Sequence, residues 1–401
     1  MTVTLVGLGC GTEATLTGEG REALLRADCL IGARRLLDAL PEGCCALRRE
    51  AVRPQDILTA LRESGGERPC VVYSGDTGFY SGTRGLLPLL REAGLEARVL
   101  PGISSVQLLS ARLGRPWQDW TLCSAHGVAC DVIGAVSAGR PVFFLTGGEL
   151  GPAELCRVLT GAGLGELPVT AAERLSYPDE TLTAGTAAEL AERTFAPLSV
   201  LLAEAAPRPA ERRTPGFPDE AFLRGEVPMT KQEVRAAVLA KLAVRPGDTV
   251  WDVGAGTGSV SVELALCASQ VFAVECVEEA CGLIERNRAR FGAWNLTLVR
   301  GRAPEALEAL PAPDAVFIGG TRGSLDGVLD VIFRKNPAAR VCVSAIALET
   351  LASAAASLAG RGLEPEVVQI AVSRTRPAGR LHLLMANNPI FLITAGGEDR
   401  A

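Results

Sequence analysis

Short apolar runs bounded by turn-forming residues recur along the first half of the chain: TVTLVG, CVVYSG, EARVLPG, PVFFLTG and LSVLLAE. Between them lie Glu19–Arg26, Thr83–Glu92 and Ala187–Arg193, where apolar positions return at helical spacing. Compact apolar runs predict strands and the longer period predicts helices, so this half reads as α/β. One αβ series closes on GISSVQLLSARLG, and the loop GRPWQDW leads into a second series at TLCSAHG, which predicts two lobes.

Downstream the alternation is more regular. A helix is expected over Lys231–Ala243, a strand over Thr249–Val253, a helix over Gly258–Ala268, a strand over Gln270–Glu275 and a helix over Glu278–Phe291. Strands follow near Thr297–Val299, Ala315–Ile318 and Arg340–Ala345. Such alternation calls for a parallel sheet covered by helices, with ligands at the carboxyl ends of its strands. The two halves are separated by a stretch rich in proline and charge, Ala206 to Phe222, whose composition blocks regular elements. The expected organisation is a domain over residues 1–205, a linker over 206–218 and a domain over 219–401; 401 residues suit two cores better than one.

Composition narrows the chemistry. A net charge of −6 without a basic tail supplies no phosphate-neutralising patch, so a nucleic-acid partner is not expected. Twelve cysteines occur without a C-x-x-C pair, and His126 and His382 are the only histidines, so neither a zinc site nor any other metal site is spelled out. Buried thiols in a reducing cytoplasm are the expectation. The opening MTVTLVGLGCG runs straight into a strand and a glycine turn, and no apolar run reaches the roughly 18–20 residues of a membrane span. A cytoplasmic protein without a membrane partner is therefore expected.

The chemistry-bearing signal is WDVGAGTGSVSVE, Trp251 to Glu263, in which a strand runs into Gly254, Gly256 and Gly258 and then a helix. Glycines let backbone approach a ligand, and a helix start offers free N–H groups. A dinucleotide fingerprint would need glycine at Ser259; the spacing G-x-G-x-G favours S-adenosylmethionine instead. Asp252 before the loop and Glu275 at the end of the next strand agree, the latter as acceptor for ribose hydroxyls. The loop residues Ala255 and Thr257 complete the candidate set. The Asp/Asn-Pro-Pro-aromatic clamp of enzymes that methylate base amino groups is absent, because that position reads VFIGGTRG. NNPIF, Asn387 to Phe391, looks like it but is read as structural.

On these residues the C-terminal half resembles the decarboxylating precorrin methyltransferases of cobalamin biosynthesis, through PMTKQEVRA (Pro228–Ala236), DVGAGTG (Asp252–Gly258), GGTRG (Gly319–Gly323) and AGRLHLLMANNPIFLI (Ala378–Ile393). The resemblance implies a Rossmann-like class I methyltransferase fold with Thr230, Gly254–Gly258, Glu275 and Ala303 along the cofactor, and with Arg302 where the family often has an acid. The N-terminal half resembles the tetrapyrrole methylase family through VGLGCG, ADCLIGARRLL, VVYSGDTGFYSG, LPGISS and SAHG. That implies a two-lobed fold holding a second cofactor molecule against Gly75, Asp76, Ser104 and Ser105; Cys10 and Thr12 depart from the family's usual G-x-G-P-G-D. Both in this order resemble the fused, decarboxylating precorrin-6Y C-5,15-methyltransferase family. The implied reaction methylates carbon 15 and removes the carbon 12 acetate carboxylate in the C-terminal domain, methylates carbon 5 in the N-terminal one, and gives a precorrin-8-type product.

Methyl transfer to an electron-rich ring carbon asks the protein for alignment and water exclusion rather than an activated nucleophile, which suits the absence of a Ser/His/Asp signature. Substrate carboxylates call for arginines. The candidates are Arg322, Arg374, Arg376 and Arg380 in the C-terminal domain and Arg34, Arg35 and Arg84 in the N-terminal one. His126 is a candidate proton shuttle, His382 a further one that also suits an ordinary strand position, and Tyr177 within LSYPDE could reach the first cleft. A small-molecule tetrapyrrole and a homo-oligomer are the expected partners. Two rival readings stay open: an RNA or protein methyltransferase carrying a diverged N-terminal binding module, which predicts a basic cleft with an aromatic platform, and a pair in which one domain only binds.

Overall fold

The computed structural model describes residues 2–45, 47–126, 130–207 and 215–397. The chain forms two compact units, residues 1–205 and 206–401.

The first unit carries two five-stranded sheets. In the first, β1 (Thr2–Gly7), β2 (Cys29–Gly32), β3 (Arg48–Glu50), β4 (Pro69–Tyr73) and β5 (Glu96–Leu100) lie in the order β3-β2-β4-β1-β5, all parallel. Its interior strands are mostly apolar, since helices cover both faces; Val3, Leu5, Ile31 and Val71 are fully buried. In the second, β6 (Thr121–Ser124), β7 (Val142–Leu145), β8 (Pro168–Glu173), β9 (Thr181–Thr186) and β10 (Ser199–Ala203) lie in the order β6-β7-β10-β8-β9. Only β6 and β7 run parallel. The expected second αβ series is thus largely antiparallel, because the connection from β8 to β9 is too short for a crossover. The Trp117–Trp120 turn separates the two sheets, as the lobe boundary at GRPWQDW implied.

The second unit holds a seven-stranded sheet. Its members are β11 (Thr249–Val253), β12 (Gln270–Glu275), β13 (Leu296–Arg300), β14 (Ala315–Ile318), β15 (Arg340–Ala345), β16 (Glu366–Ile370) and, beyond the hairpin β17 (Ser373–Ala378) and β18 (Leu381–Ala386), β19 (Ile390–Ala395). The order is β13-β12-β11-β14-β15-β19-β16. The parallel sheet read from the sequence is mixed: β19 runs antiparallel to β15 and β16. The hairpin lets the chain re-enter the sheet from the far end, and that reverses β19. This is the Rossmann-like class I methyltransferase arrangement, with Trp251, Val253, Val316 and Ile318 in one core layer and Val250, Phe317 and Leu392 in the other.

The expected linker divides differently from its composition. Residues 208–214 lie outside the described residues, while Gly216 and Phe217 are tied by their N–H groups to Glu263 and belong to the second unit's packing. No helix among the described residues is long and apolar enough to cross a membrane.

Candidate active sites

At the carboxyl ends of β11, β12 and β14 the second unit opens a cavity of about 1010 Å³. Its floor is the glycine loop. Gly254 and Gly256 have φ of +75° and +56°, and a Cβ on Gly254 would lie 2.4 Å from the Gly320 carbonyl. Only glycine permits the loop after β11 and the loop after β14 to touch there. The Gly254 and Ala255 amides donate to the Val274 carbonyl, which pins the loop to β12.

Glu275, at the end of β12, is nearly buried and lines the same cavity. Its Oε1 accepts from the amides of Cys276 and Val277 (2.7 and 2.9 Å), and its Oε2 accepts from Gly256 (2.9 Å). Three main-chain donors fix the carboxylate and leave capacity on Oε2, which suits a hydroxyl donor. The Thr257 hydroxyl is buried at the loop without a partner among the described residues. Together with the glycine cradle, these groups fit the nucleoside and amino-acid parts of S-adenosylmethionine.

Of the expected contacts, Thr230, Gly254, Ala255, Gly256, Thr257, Glu275, Ala303 and Arg322 line this cavity. Two expected contacts do not. Asp252 is fully buried beneath the loop, where the Ser261 hydroxyl donates to its Oδ2. Burial pushes its carboxyl up to about 7, against the Ser261 hydrogen bond and helped by the Glu275 charge. Gly258 packs instead on Ile284, 2.9 Å from where its Cβ would be. Both corrections follow from strand alternation and helix packing, which turn these positions into the core.

Most of the expected arginines face elsewhere. Arg374 is engaged by Asp219 (3.2 Å) and Glu233 (2.6 Å), while Arg376, Arg380 and His382 sit on the exposed β17–β18 hairpin. None of the four lines the cavity. His382 is thus a strand residue, the alternative its apolar neighbours suggested, and an exposed one. The far wall contains Asn387, Asn388 and Ile390, so NNPIF is more than a strand start. Its outward resemblance to a clamp was the available signal. The lining charges balance, Lys231, Arg302 and Arg322 against Glu275, Asp326 and Glu349, and Phe317 is the only aromatic among the described lining residues. That is not the basic, aromatic cleft of a nucleic-acid site.

The first unit has a smaller cavity, about 300 Å³, lined by Gly75, Asp76, Ser104, Ser105, His126, Arg35 and Tyr177 among others. Main chain builds it. A Cβ on Gly102 would lie 2.2 Å from the Gly75 carbonyl, and the Asp76 carboxylate accepts from Gly78 (2.8 Å) and Gly102 (3.1 Å). Ser104 caps the helix Ser105–Leu113 in a reciprocal box with Gln107, which aims that helix start at the cavity. Cys10, the departure in the first glycine loop, lies in the wall, and burial pushes its thiol up to about 11.

His126 lines this cavity, while Gly127 of the SAHG segment falls outside the described residues. Arg34 is turned toward Asp38 and Arg84 is exposed on its helix, so of the three expected arginines Arg35 alone reaches the wall. Arg174 was missed. It follows β8 with φ +50°, binds Asp179 at 2.9 Å, lies over the Tyr177 ring and lines the cavity. Its place just before LSYPDE was the usable signal. The Cys123 and Cys130 sulfurs are 3.0 Å apart as free thiols, a contact that their sequence spacing did not suggest. No metal-binding cluster of His, Cys, Asp or Glu is found among the described residues.

Comparison with known proteins accounts for both units. Residues 2–191 match the family of tetrapyrrole (corrin/porphyrin) methylases, and residues 220–395 match the precorrin methyltransferase domain. A relative from Sinorhizobium sp, named precorrin-6Y C(5,15)-methyltransferase [decarboxylating], is 34% identical over 82% of this chain and 80% of its own length. A probable cobalt-precorrin-6B C(15)-methyltransferase (decarboxylating) from Pyrobaculum calidifontis is 45% identical over 45% of this chain and 96% of its own. A crystal structure of precorrin-6y C5,15-methyltransferase from Geobacter metallireducens is 35% identical and covers 47% of this chain and all of that one, with a TM-score of 0.45. The extent of the first match shows that the chain belongs to the decarboxylating precorrin-6Y C(5,15)-methyltransferase family.

Proposed function

We propose that the chain carries two methyl-transfer sites, one in each unit, acting on one tetrapyrrole of cobalamin biosynthesis. The methyltransferases of this family use S-adenosylmethionine, which supplies an electrophilic methyl group on a sulfonium. In this reading the domain spanning 219–401 methylates carbon 15 of a precorrin-6-type ring and releases the carbon 12 acetate carboxylate. The domain spanning 1–205 methylates carbon 5. The C-terminal cavity carries the proposal: glycine floor, fixed Glu275 and balanced polar walls occur in one space of about 1010 Å³, at the upper end of small-ligand pockets. That volume suits a cofactor together with the edge of a macrocycle.

The residues divide the work. Gly254–Thr257 and Glu275 hold the nucleoside, Thr230 and Ala303 close on it, and Arg322, held at φ +49° between Thr321 and Gly323, meets a substrate carboxylate. Loss of carbon dioxide leaves electrons that the conjugated ring accepts, so the protein's part is to orient the acetate and exclude water. In the N-terminal unit Gly75, Asp76, Ser104 and Ser105 hold the cofactor, Arg35 a carboxylate, and His126 moves the proton. The exposed Leu381, Leu383, Leu384 and Met385 of the hairpin support a homo-oligomer, with a second copy covering them, and the unpaired cysteines suit the cytoplasm.

Mass spectrometry of the product formed by the whole chain tests the reading. Gain of two methyl groups with loss of one carbon dioxide is expected. Methyl gain without that loss would remove the decarboxylase role, and one bound cofactor per chain would remove the two-site claim.

A further inference from the structure

The segment from Pro215 to Lys231 leads to the wall of the C-terminal cavity with no regular structure beyond a single turn at Asp219–Ala221. Such a strap cannot satisfy its own backbone groups, so side chains from the surrounding elements must do it. Arg235, on the helix Gln232–Leu242, is fully buried and spends its guanidinium on this task. Nη1 donates to the Thr230 carbonyl (2.5 Å) and to Asp219 (2.8 Å), Nη2 to the Phe217 carbonyl (2.5 Å) and Nε to Glu263 (3.0 Å). The Phe222 ring lies beneath it at 4.6 Å. Glu263 in turn accepts from Gly216 and Phe217 and stands on the helix that begins at the glycine loop.

A second buried side chain makes the same kind of tie. Asn287 accepts from the Leu223 amide and donates to the carbonyls of Leu223 and Thr257, joining the strap to the loop itself. The strap then contributes Val227 to Lys231 to the cavity wall, and the Pro228 carbonyl lies 3.1 Å from where a Gly256 Cβ would be. Floor and wall are thus connected through Asn287 at the loop itself and, by way of Glu263 on the helix that follows the loop, through a cation that touches neither the cavity nor the solvent.

We infer that Arg235 is a positioning residue for the C-terminal site: it holds the Thr230 strap against the glycine loop and so sets cofactor affinity without contacting the cofactor. The inference rests on the cofactor reading above. The network is charge-balanced at its inner core only with outside help, since one buried guanidinium faces both Asp219 and Glu263. Arg374 supplies that help from β17 by reaching the second oxygen of Asp219. Burial alone would raise the Asp219 carboxyl, yet hydrogen bonding and charge from Arg235, with Lys231 and Arg374, hold it below its ordinary value. A lysine cannot reproduce this fork, because one ammonium does not reach four acceptors spread around a planar guanidinium.

Calorimetric titration of the whole chain with S-adenosylhomocysteine is the test, followed by cofactor KM and kcat for the C-terminal methylation. Failure of the wild-type chain to bind at the C-terminal site would refute the cofactor reading itself. With wild-type binding in place, Arg235→Lys is expected to weaken that site about tenfold or more, raise the cofactor KM equally and leave kcat at saturation within roughly threefold. The N-terminal site should keep its affinity. Glu263→Gln retains volume and an acceptor oxygen while loosening the Gly216 and Phe217 anchors; it should move affinity in the same direction, and it serves should the lysine variant not fold. A folded variant with lowered melting temperature and unchanged affinity would overturn the inference, leaving Arg235 a purely structural residue.

Discussion

The two cavities solve the same problem with different materials. In the C-terminal unit, one strand, one loop and one helix carry the floor in continuous sequence, and buried side chains tie the walls to it. In the N-terminal unit the cavity forms where turns distant in sequence meet, Gly75 against Gly102 and Tyr177 over Gly11, with main chain as the principal material. A continuous site announces itself as a motif. A site assembled from separated turns shows only small residues whose partners are unknown until the chain folds.

The sharpest test of that contrast is a matched pair of glycine substitutions. A Cβ at Gly254 meets the Gly320 carbonyl at 2.4 Å and faces a left-handed φ of +75°, so Gly254→Ala must shift the loop. Cofactor binding at the C-terminal site is expected to fall about a hundredfold or more, since displacement by roughly an ångström is costly where alignment is the chemistry. Gly102→Ala, 2.2 Å from the Gly75 carbonyl, should do the same to the N-terminal site alone. Titration with S-adenosylhomocysteine reads both. Loss of both sites in either variant would contradict two independently built cavities.

Side chains should matter less, and unequally. Glu275→Ala removes a carboxylate that organises three amides and, in the proposed reading, also accepts from the ligand, and a tenfold to hundredfold loss at the C-terminal site is expected. Unchanged affinity would reject the ribose role. In the N-terminal unit, where main chain dominates, Tyr177→Phe, which removes one hydroxyl from the cavity wall, should slow carbon 5 methylation at most several-fold, the most that one hydroxyl contact to substrate would supply. A loss as large as that of Glu275→Ala would erase the distinction between the two sites.

How much of this was legible follows from the same contrast. Strands β11, β12, β14 and β15 and the helix Glu278–Phe291 have the bounds expected from their apolar patterning, because strands covered on both faces are continuously apolar and flanked by turn signals. The reversal of β19 was not legible, since a strand's direction depends on where the chain re-enters the sheet. Arginine roles were the least legible. Arg374 and Arg322 look alike in sequence, yet Asp219 and Glu233 engage the first while the loop after β14 places the second on the cavity wall. The wall at Asn387 and Asn388 was hidden by reading its neighbours only as a strand.

The smallest predicted effect concerns what lies under each loop. Asp252 stands fully buried below the C-terminal glycine loop with its carboxyl at about 7, whereas Asp76 of the N-terminal unit is only partly buried and bonded to amides. An unfolded chain would release the Asp252 proton near 4. Between these values the folded state binds more protons than the unfolded one, so stability contributed by this group is complete below about 4 and declines as pH rises through about 7. Asp252→Asn keeps the shape and an acceptor for the Ser261 hydroxyl without a titrating proton. Calorimetric melts of the whole chain should therefore show a C-terminal transition that falls from pH 5 to pH 8 in the wild type and a flatter one in the variant. The N-terminal transition should follow one pH course in both chains. Equal slopes for the C-terminal transition would mean that Asp252 is ionised in the folded protein, and the loop would then stand on a buried charge rather than a buried acid.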